Sequence, residues 1–396
     1  MKLKKITLYI LMFAVAVATL SCSDDEPYTP VEKPERTVLV YMVAANDLGL
    51  HPEPGGSYVG YDTLDMKEME RAARANGLGN NRLLVFHSTY QGSSLLELTQ
   101  DGFITIKKYT DAAAVSSARM EEVIADVKST GAASYGLVLW SHASGWVEDG
   151  MEQPATADGI RPLSFGVDQG RRMNVTTLAK VLEGKGFDYI YFDCCLMGSV
   201  EVAYELRDCA RYIVASAATL PLEGMPYDRN LASLLDGSRE ALVQAAQNTF
   251  DYYDAKTDPF DRSATMTVID TRGLDGLADA TRAIYRLTDT PHPLTTVTNY
   301  NGNATTRQAF YLDFGEYVHA LADKHGLDPT PAGNFDHAMA ETVIFQKSTE
   351  RIFDRYEIKN PSGLSTRVFN NIRDFNVRNY DRLQWATDVV AHHFNH

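Results

Sequence analysis

The run Tyr189-Ile-Tyr-Phe-Asp193-Cys194-Cys195-Leu-Met-Gly198-Ser-Val-Glu-Val-Ala-Tyr-Glu-Leu206 changes its hydrophobic period partway along. Tyr189 to Phe192 are aromatic or β-branched, which predicts a buried strand; from Gly198 onward, Val200, Val202 or Ala203, and Leu206 fall on one helical face. A strand thus becomes a helix within a few residues, and a carboxylate and two thiols occupy the junction. In an α/β sheet, ligand clefts form at the carboxyl ends of strands, so Asp193, Cys194 and Cys195 are the first candidates for chemistry. Side chains alternate along a strand, so Asp193 and Cys195 should project one way and Cys194 the other. Cys195 is then the expected exposed thiol and Cys194 a packing residue. The competing reading is that both are small buried hydrophobes, as most free cysteines are.

Upstream, Tyr135-Gly-Leu-Val-Leu-Trp140 reads as another strand, ending in Ser141-His142-Ala143-Ser144-Gly145-Trp146. A stretch rich in Gly, Pro and charge follows, from Val147 to about Arg172, too long for an ordinary connection. Asn174 is a candidate cap for a helix from Val175 to Glu183, and Phe187 leads into the cysteine strand. His142 and Cys195 therefore terminate consecutive strands, and consecutive parallel strands joined by a right-handed crossover are usually neighbours. An imidazole within reach of a thiol takes its proton or pairs with the thiolate, which then attacks a carbonyl. The plainer reading of His142 is a capping or core histidine.

The remaining chain fits an α/β frame. Thr37-Val-Leu-Val-Tyr-Met-Val-Ala44 is an apolar run suited to a strand covered on both faces, and it stops at Ala45-Asn46-Asp47, another set of polar groups at a strand's carboxyl end. Helices are expected from about Thr63 to Asn76 and from Ala114 to Ser129, a strand from Arg82, and a hairpin over Leu95 to Tyr109. Beyond Asp228 the pattern predicts helices over Ser238–Tyr253, Leu274–Leu287, Tyr311–Asp323, Phe335–Ile352 and Tyr380–Phe394, with a strand over Ala264–Asp270. Alternating strands and helices point to a mostly parallel sheet with helices on both faces.

Composition narrows the partners. The 396 residues are 44% hydrophobic and 22% charged, with a formal net charge of −15, so nucleic acid is excluded as a natural partner and cationic ligands are favoured. Lys2, Lys4 and Lys5 precede an apolar run from Ile6 to Leu20, the pattern of a secretory signal and too short for a spanning helix. Leu20-Ser21-Cys22 resembles a relaxed lipoprotein processing site in which Cys22 takes the lipid. Ser23-Asp-Asp-Glu26 resembles the acidic export tags of Bacteroidetes surface lipoproteins. The domain plan is therefore a lipoprotein signal over 1–22, a proline-rich tether over 23–36, a core over 37–270 and a mainly helical C-terminal extension over 271–396; the protein is expected at the outer membrane, facing outward. Four cysteines are present; after Cys22, the three left cannot all pair.

Leu139-Trp-Ser-His142-Ala-Ser-Gly145-Trp146 and Phe192-Asp193-Cys194-Cys195-Leu-Met-Gly-Ser-Val-Glu-Val-Ala-Tyr-Glu-Leu206 together resemble the clostripain family of cysteine peptidases. The likeness runs from about Thr37 to Asp228 and extends more weakly to Tyr311-Leu-Asp-Phe-Gly315 and Pro361-Ser-Gly-Leu-Ser365. It implies a caspase-like α/β fold, a mostly parallel sheet flanked by helices on both faces, with a mixed α/β C-terminal extension. It also implies a His142–Cys195 dyad acting through an acyl-enzyme, with the amides of Ala143 and Cys195 as oxyanion donors. Asp193 would line the pocket for the side chain before the scissile bond, favouring arginine or lysine, with Asn46, Ser216 and Thr219 as further substrate contacts. An alternative for Asp193 is a helix-start carboxylate facing backbone amides.

Three features depart from the family. Ala143 replaces a common glycine, Ser216-Ala217-Ala218-Thr219 replaces a common acidic run, and the segment between the motifs has few landmarks. Many relatives are cut in that segment to mature, and Arg161, Arg171 and Arg172 are the basic residues it offers. The tail histidines His392, His393 and His396 lack zinc-type spacing. Some relatives use calcium, a role the acid-rich chain leaves open although no EF-hand loop is present. The competing functional reading is a surface lipoprotein that keeps the scaffold but binds peptides or host proteins without cutting them.

Overall fold

The apolar run after Glu35 forms strand β1, Arg36–Val43, in which every residue from Thr37 to Val43 is buried. Alternation divides it between two cores: Leu39, Tyr41 and Val43 join one, and Val38, Val40 and Met42 the other. The computed structural model describes residues 29–110, 113–146, 165–288, 294, 296–300, 311–368 and 380–391. Within it, Glu32–His396 forms one compact unit. The expected signal and lipid site at Cys22, and the tail histidines, lie outside the described residues. No helix among the described residues is long and apolar enough to cross a membrane.

β1 lies inside a nine-stranded sheet with β2 (Asn81–Thr89), β3 (Gly92–Thr99), β4 (Gly102–Tyr109), β5 (Ser134–Trp140), β6 (Phe187–Asp193), β7 (Ala210–Ala215), β8 (Thr265–Asp270) and β9 (Val343–Ser348). The spatial order is β9-β8-β7-β6-β5-β1-β2-β3-β4. The central strands β7, β6, β5, β1 and β2 run parallel, and antiparallel pairs extend the sheet at both margins. One face is covered by α1 (Tyr61–Asn76), α5 (Tyr227–Asp236) and α6 (Arg239–Asp254). The other carries α2 (Ser117–Lys128), α3 (Val175–Leu182), α4 (Val200–Glu205), α7 (Leu274–Tyr285), α8 (Phe314–Lys324) and α9 (Pro329–Thr342). This is the expected mostly parallel sheet with helices on both faces.

Two C-terminal expectations change. The segment expected to be helical through Ile352 leaves the helix at Thr342, and Val343-Ile-Phe345 instead opens β9, pairing Phe345 with Val268 of β8. Its β-branched and aromatic residues suit a strand, and β8 supplies an open edge to pair with. The expected last helix is a short 3₁₀ turn, Tyr380–Arg382, followed by a π-helical turn, Ala386–Val390.

Register sets up the site. Trp140, the last residue of β5, pairs with Met42 of β1 on one side and Asp193 of β6 on the other. The segments that follow, carrying Asp47, His142 and Cys195, emerge together at one sheet edge.

Candidate active site

Ser141 and Asn46 fasten the ends of β5 and β1. The Ser141 hydroxyl donates to the Val43 carbonyl at 2.9 Å and accepts from the Val167 amide at 3.1 Å. Asn46 Nδ2 donates to the Val43 carbonyl at 2.9 Å and to the Val167 carbonyl at 2.7 Å, while its Oδ1 accepts from the Leu48 amide at 2.8 Å. These bonds tie both loops to the short strand Phe165–Asp168. Expected as a substrate contact, Asn46 is buried with its amide engaged inside the protein.

His142 follows Ser141. Its Nε2 lies 2.7 Å from Asp47 Oδ1, and its carbonyl accepts from the Gly166 amide at 3.0 Å. That hydrogen bond draws the Asp47 carboxyl below its ordinary range. The loop then turns at Gly145, with φ of +77°. A Cβ there would lie 2.7 Å from the Tyr311 hydroxyl and 3.1 Å from the Leu196 carbonyl oxygen, so glycine is required both for the backbone angle and for the space. The Tyr311 hydroxyl donates to the Ser144 carbonyl. The loop carrying His142 therefore packs directly on the residue that follows Cys195.

The cysteines divide as strand alternation predicts. Cys194 joins Ile190 and Phe192 in the buried core, whereas Cys195 is half-buried beside a small cluster that includes Leu196, Ala217, Ala218 and Tyr311. Leu196 adopts a left-handed backbone, φ 62°, a conformation an L-residue holds only when its surroundings enforce it. The enforcing bonds are Leu196 N to Ala218 O at 3.0 Å, Gly198 N to Ser216 O at 2.7 Å, and Ser365 N to Gly198 O at 2.9 Å. Cys195 Sγ accepts from the Leu220 amide at 3.4 Å. Burial pushes its thiol up to about 11, against the pull of that amide, so the resting group is a thiol that needs a base.

Asp193 is buried. Its Oδ1 accepts from the Met225 amide at 2.8 Å, and the buried Tyr227 hydroxyl stands beside its carboxyl. Gly224 stands against it, leaving no room for a Cβ, which would meet Asp193 Oδ1 at 2.7 Å. Asp65 of α1, held by the Trp140 indole at 2.6 Å, adds a second buried carboxyl next to it. Burial lifts both above the ordinary range, Asp193 to about 7. Asp65 also borders a recess of about 190 Å³ lined by Tyr61, Glu68, Arg71, Glu223 and Tyr252, in which Arg71 pairs with Glu68 at 3.3 Å.

The other expected residues separate. The buried Ser216 hydroxyl pairs with Thr265 at 2.7 Å, a tie between β7 and β8, and Thr219 is half-buried. Arg171 and Arg172 lie in a strand, Arg171–Met173, paired with Phe165–Asp168; Arg161 lies outside the described residues. No group of three or more His, Cys, Asp or Glu side chains among the described residues is placed to hold a metal ion. Sequence reasoning passed over Asp47, Asp65 and Tyr311 as site residues. Asp47 had a signal in the polar set at the end of β1, and Tyr311 a weaker one in the motif Tyr311-Leu-Asp-Phe-Gly315; Asp65 had none.

Comparisons with known proteins give the family and the fold. The clostripain family model matches residues 40–325. The fold is similar to a secreted cysteine protease from Bacteroides thetaiotaomicron solved with an irreversible peptide inhibitor (24% identity, TM-score 0.72, covering 90% of this chain and 98% of that one). It is also similar to an inactive zymogen protease from Parabacteroides distasonis (26%, 0.73, 91% and 99%) and to iotapain, a secreted cysteine protease from Bacteroides thetaiotaomicron (22%, 0.74, 90% and 99%). No curated protein matches the chain. With a thiol and a histidine on touching loops and a family match over most of its length, this chain belongs to the clostripain family and is a cysteine peptidase.

Proposed function

We propose that the protein is an endopeptidase cutting after arginine or lysine, with Cys195 as nucleophile and His142 as its base. One observation carries the reading: the His142 loop rests on the Cys195 loop, with the Gly145 Cβ position 3.1 Å from the Leu196 carbonyl oxygen. Cys195 gives its proton to His142, and the thiolate forms a C–S bond to the scissile carbonyl carbon. Because the His142 carbonyl faces Gly166 and the peptide is trans, the Ala143 amide points the opposite way. With the Cys195 amide, it is the oxyanion donor in this scheme. The adduct collapses as the C–N bond breaks and His142 returns the proton to the leaving amine. Water, giving a proton to His142, then attacks the thioester; the C–S bond breaks and the thiol is restored.

The buried carboxyl of Asp193, with Asp65 next to it, supports a basic side chain before the cut bond. In relatives described as a zymogen and as secreted proteins, maturation and export are features of the type; here we assign maturation to Arg161, Arg171 or Arg172 and anchoring to a lipid on Cys22. Arg171 and Arg172 sit in a paired strand that must open before cutting. Cys195→Ala should abolish cleavage of arginyl and lysyl peptides and leave the purified chain uncut, while Cys194→Ala keeps at least about half the activity, its side chain being a core filler. Alkylation by a lysyl chloromethyl ketone at Cys194 would refute the assignment, and palmitate labelling that survives Cys22→Ala would refute the anchor.

A further inference from the structure

We propose that Asp47 is a positioning residue for His142, so that catalysis runs through an ordered Cys195–His142–Asp47 array; this rests on the dyad proposed above and deepens it. Asp47 Oδ1 stands 2.7 Å from His142 Nε2. A bond at Nε2 assigns Nδ1 to the thiol and holds the ring against rotation about its Cβ–Cγ bond. When His142 accepts the thiol proton, the new positive charge finds a carboxylate already in contact.

The placement is built into the backbone. Asn46 closes a turn across Asp47, its Oδ1 taking the Leu48 amide at 2.8 Å while its Nδ2 holds the Val43 and Val167 carbonyls. The Ala45 carbonyl accepts from the Gln169 amide at 2.9 Å. Gly49 completes the turn where no other residue fits, because a Cβ would fall 2.1 Å from the Ala44 carbonyl oxygen. Asp47 itself is exposed, 62% against 15% for the His142 side chain, so its carboxylate has no packing duty. Besides His142, Asp47 is faced by His51, on the loop after β1, and the Cys195 thiol in turn feels the carboxyl of Asp193.

An exposed carboxylate beside the cleft could instead contact a basic substrate, and kinetics separate the two. The test compares mature wild type with Asp47→Asn, Asp47→Ala and Asp47→Glu on a fluorogenic lysyl peptide, and measures alkylation of Cys195 by uncharged iodoacetamide against pH. Positioning predicts that Asp47→Asn lowers kcat by about 10- to 100-fold with KM within about twofold. It also predicts that the half-maximal pH for alkylation rises by about one unit, because the thiolate–imidazolium pair has lost its carboxylate. Asp47→Glu should recover part of both, with thermal midpoints unchanged throughout. A rise in KM alone, with alkylation unaltered, would mean substrate contact and overturn the proposal, as would a kcat loss that merely follows a lowered midpoint. If Cys195→Ala or His142→Ala keeps activity, the dyad itself falls, an outcome visible without any Asp47 variant.

Discussion

Asp193 is charged with more difficulty than an ordinary carboxylate. It is buried, with Asp65 close behind, and burial raises its pKa to about 7. The unfolded chain releases that proton near pH 4 and the native state only near pH 7, so the native state binds more protons between those values and stability from this group falls as pH rises through the window. The thermal midpoint of wild type should therefore decline between about pH 5 and 8 by several degrees more than that of Asp193→Asn; parallel slopes would count against the assignment. A basic side chain pairs only with the ionised form, so KM for an arginyl peptide should fall from about pH 6 to 8, and Asp193→Asn should remove that dependence. Strand alternation made the separation of Cys194 from Cys195 legible in the sequence. The partnership of Asp65 with Trp140 was not, because it joins a helix to a strand 75 residues away.

The elements at the sheet edge are held by bonds from distant parts of the chain. Tyr311 reaches the Ser144 carbonyl, and Ser365 reaches Gly198. Both belong to short motifs that resembled the family only weakly, and the local pattern at Tyr311 announced the start of a helix rather than a strut. Ser144 is buried, so Tyr311→Phe leaves its carbonyl without that donor, at a cost of about 1–3 kcal/mol, and frees the loop carrying His142. We expect kcat to fall about tenfold with little change in KM; an unchanged kcat in a destabilised protein would reduce Tyr311 to packing. The strands β1, β5 and β6 were readable because burial on both faces demands unbroken apolar runs. β9 was hidden because its pairing partner β8, not its own propensity, decides its conformation.

Across the whole molecule, the C-terminal third covers one face of the sheet with α7, α8 and α9, pairs β9 with β8, and reaches the active loops through Tyr311 and Ser365. A fragment ending at Asp270 would leave the outer edge of β8 unpaired and both active loops unsupported. It should elute as aggregate and lack the cooperative thermal transition of the full chain; a monomeric, active fragment would show the extension to be dispensable. The opposed directions of the two adjacent thiols carry a last implication. Cys194 faces the core and Cys209 is buried, so neither is poised to trap an oxidised Cys195 as a disulfide. Among the described residues, a sulfenic acid formed on Cys195 has no resolving neighbour, and it is expected to move on toward the irreversible sulfinic state unless an external thiol intercepts it. Peroxide should therefore silence the peptidase in a way that added thiol does not reverse, whereas thiol present from the start should protect it.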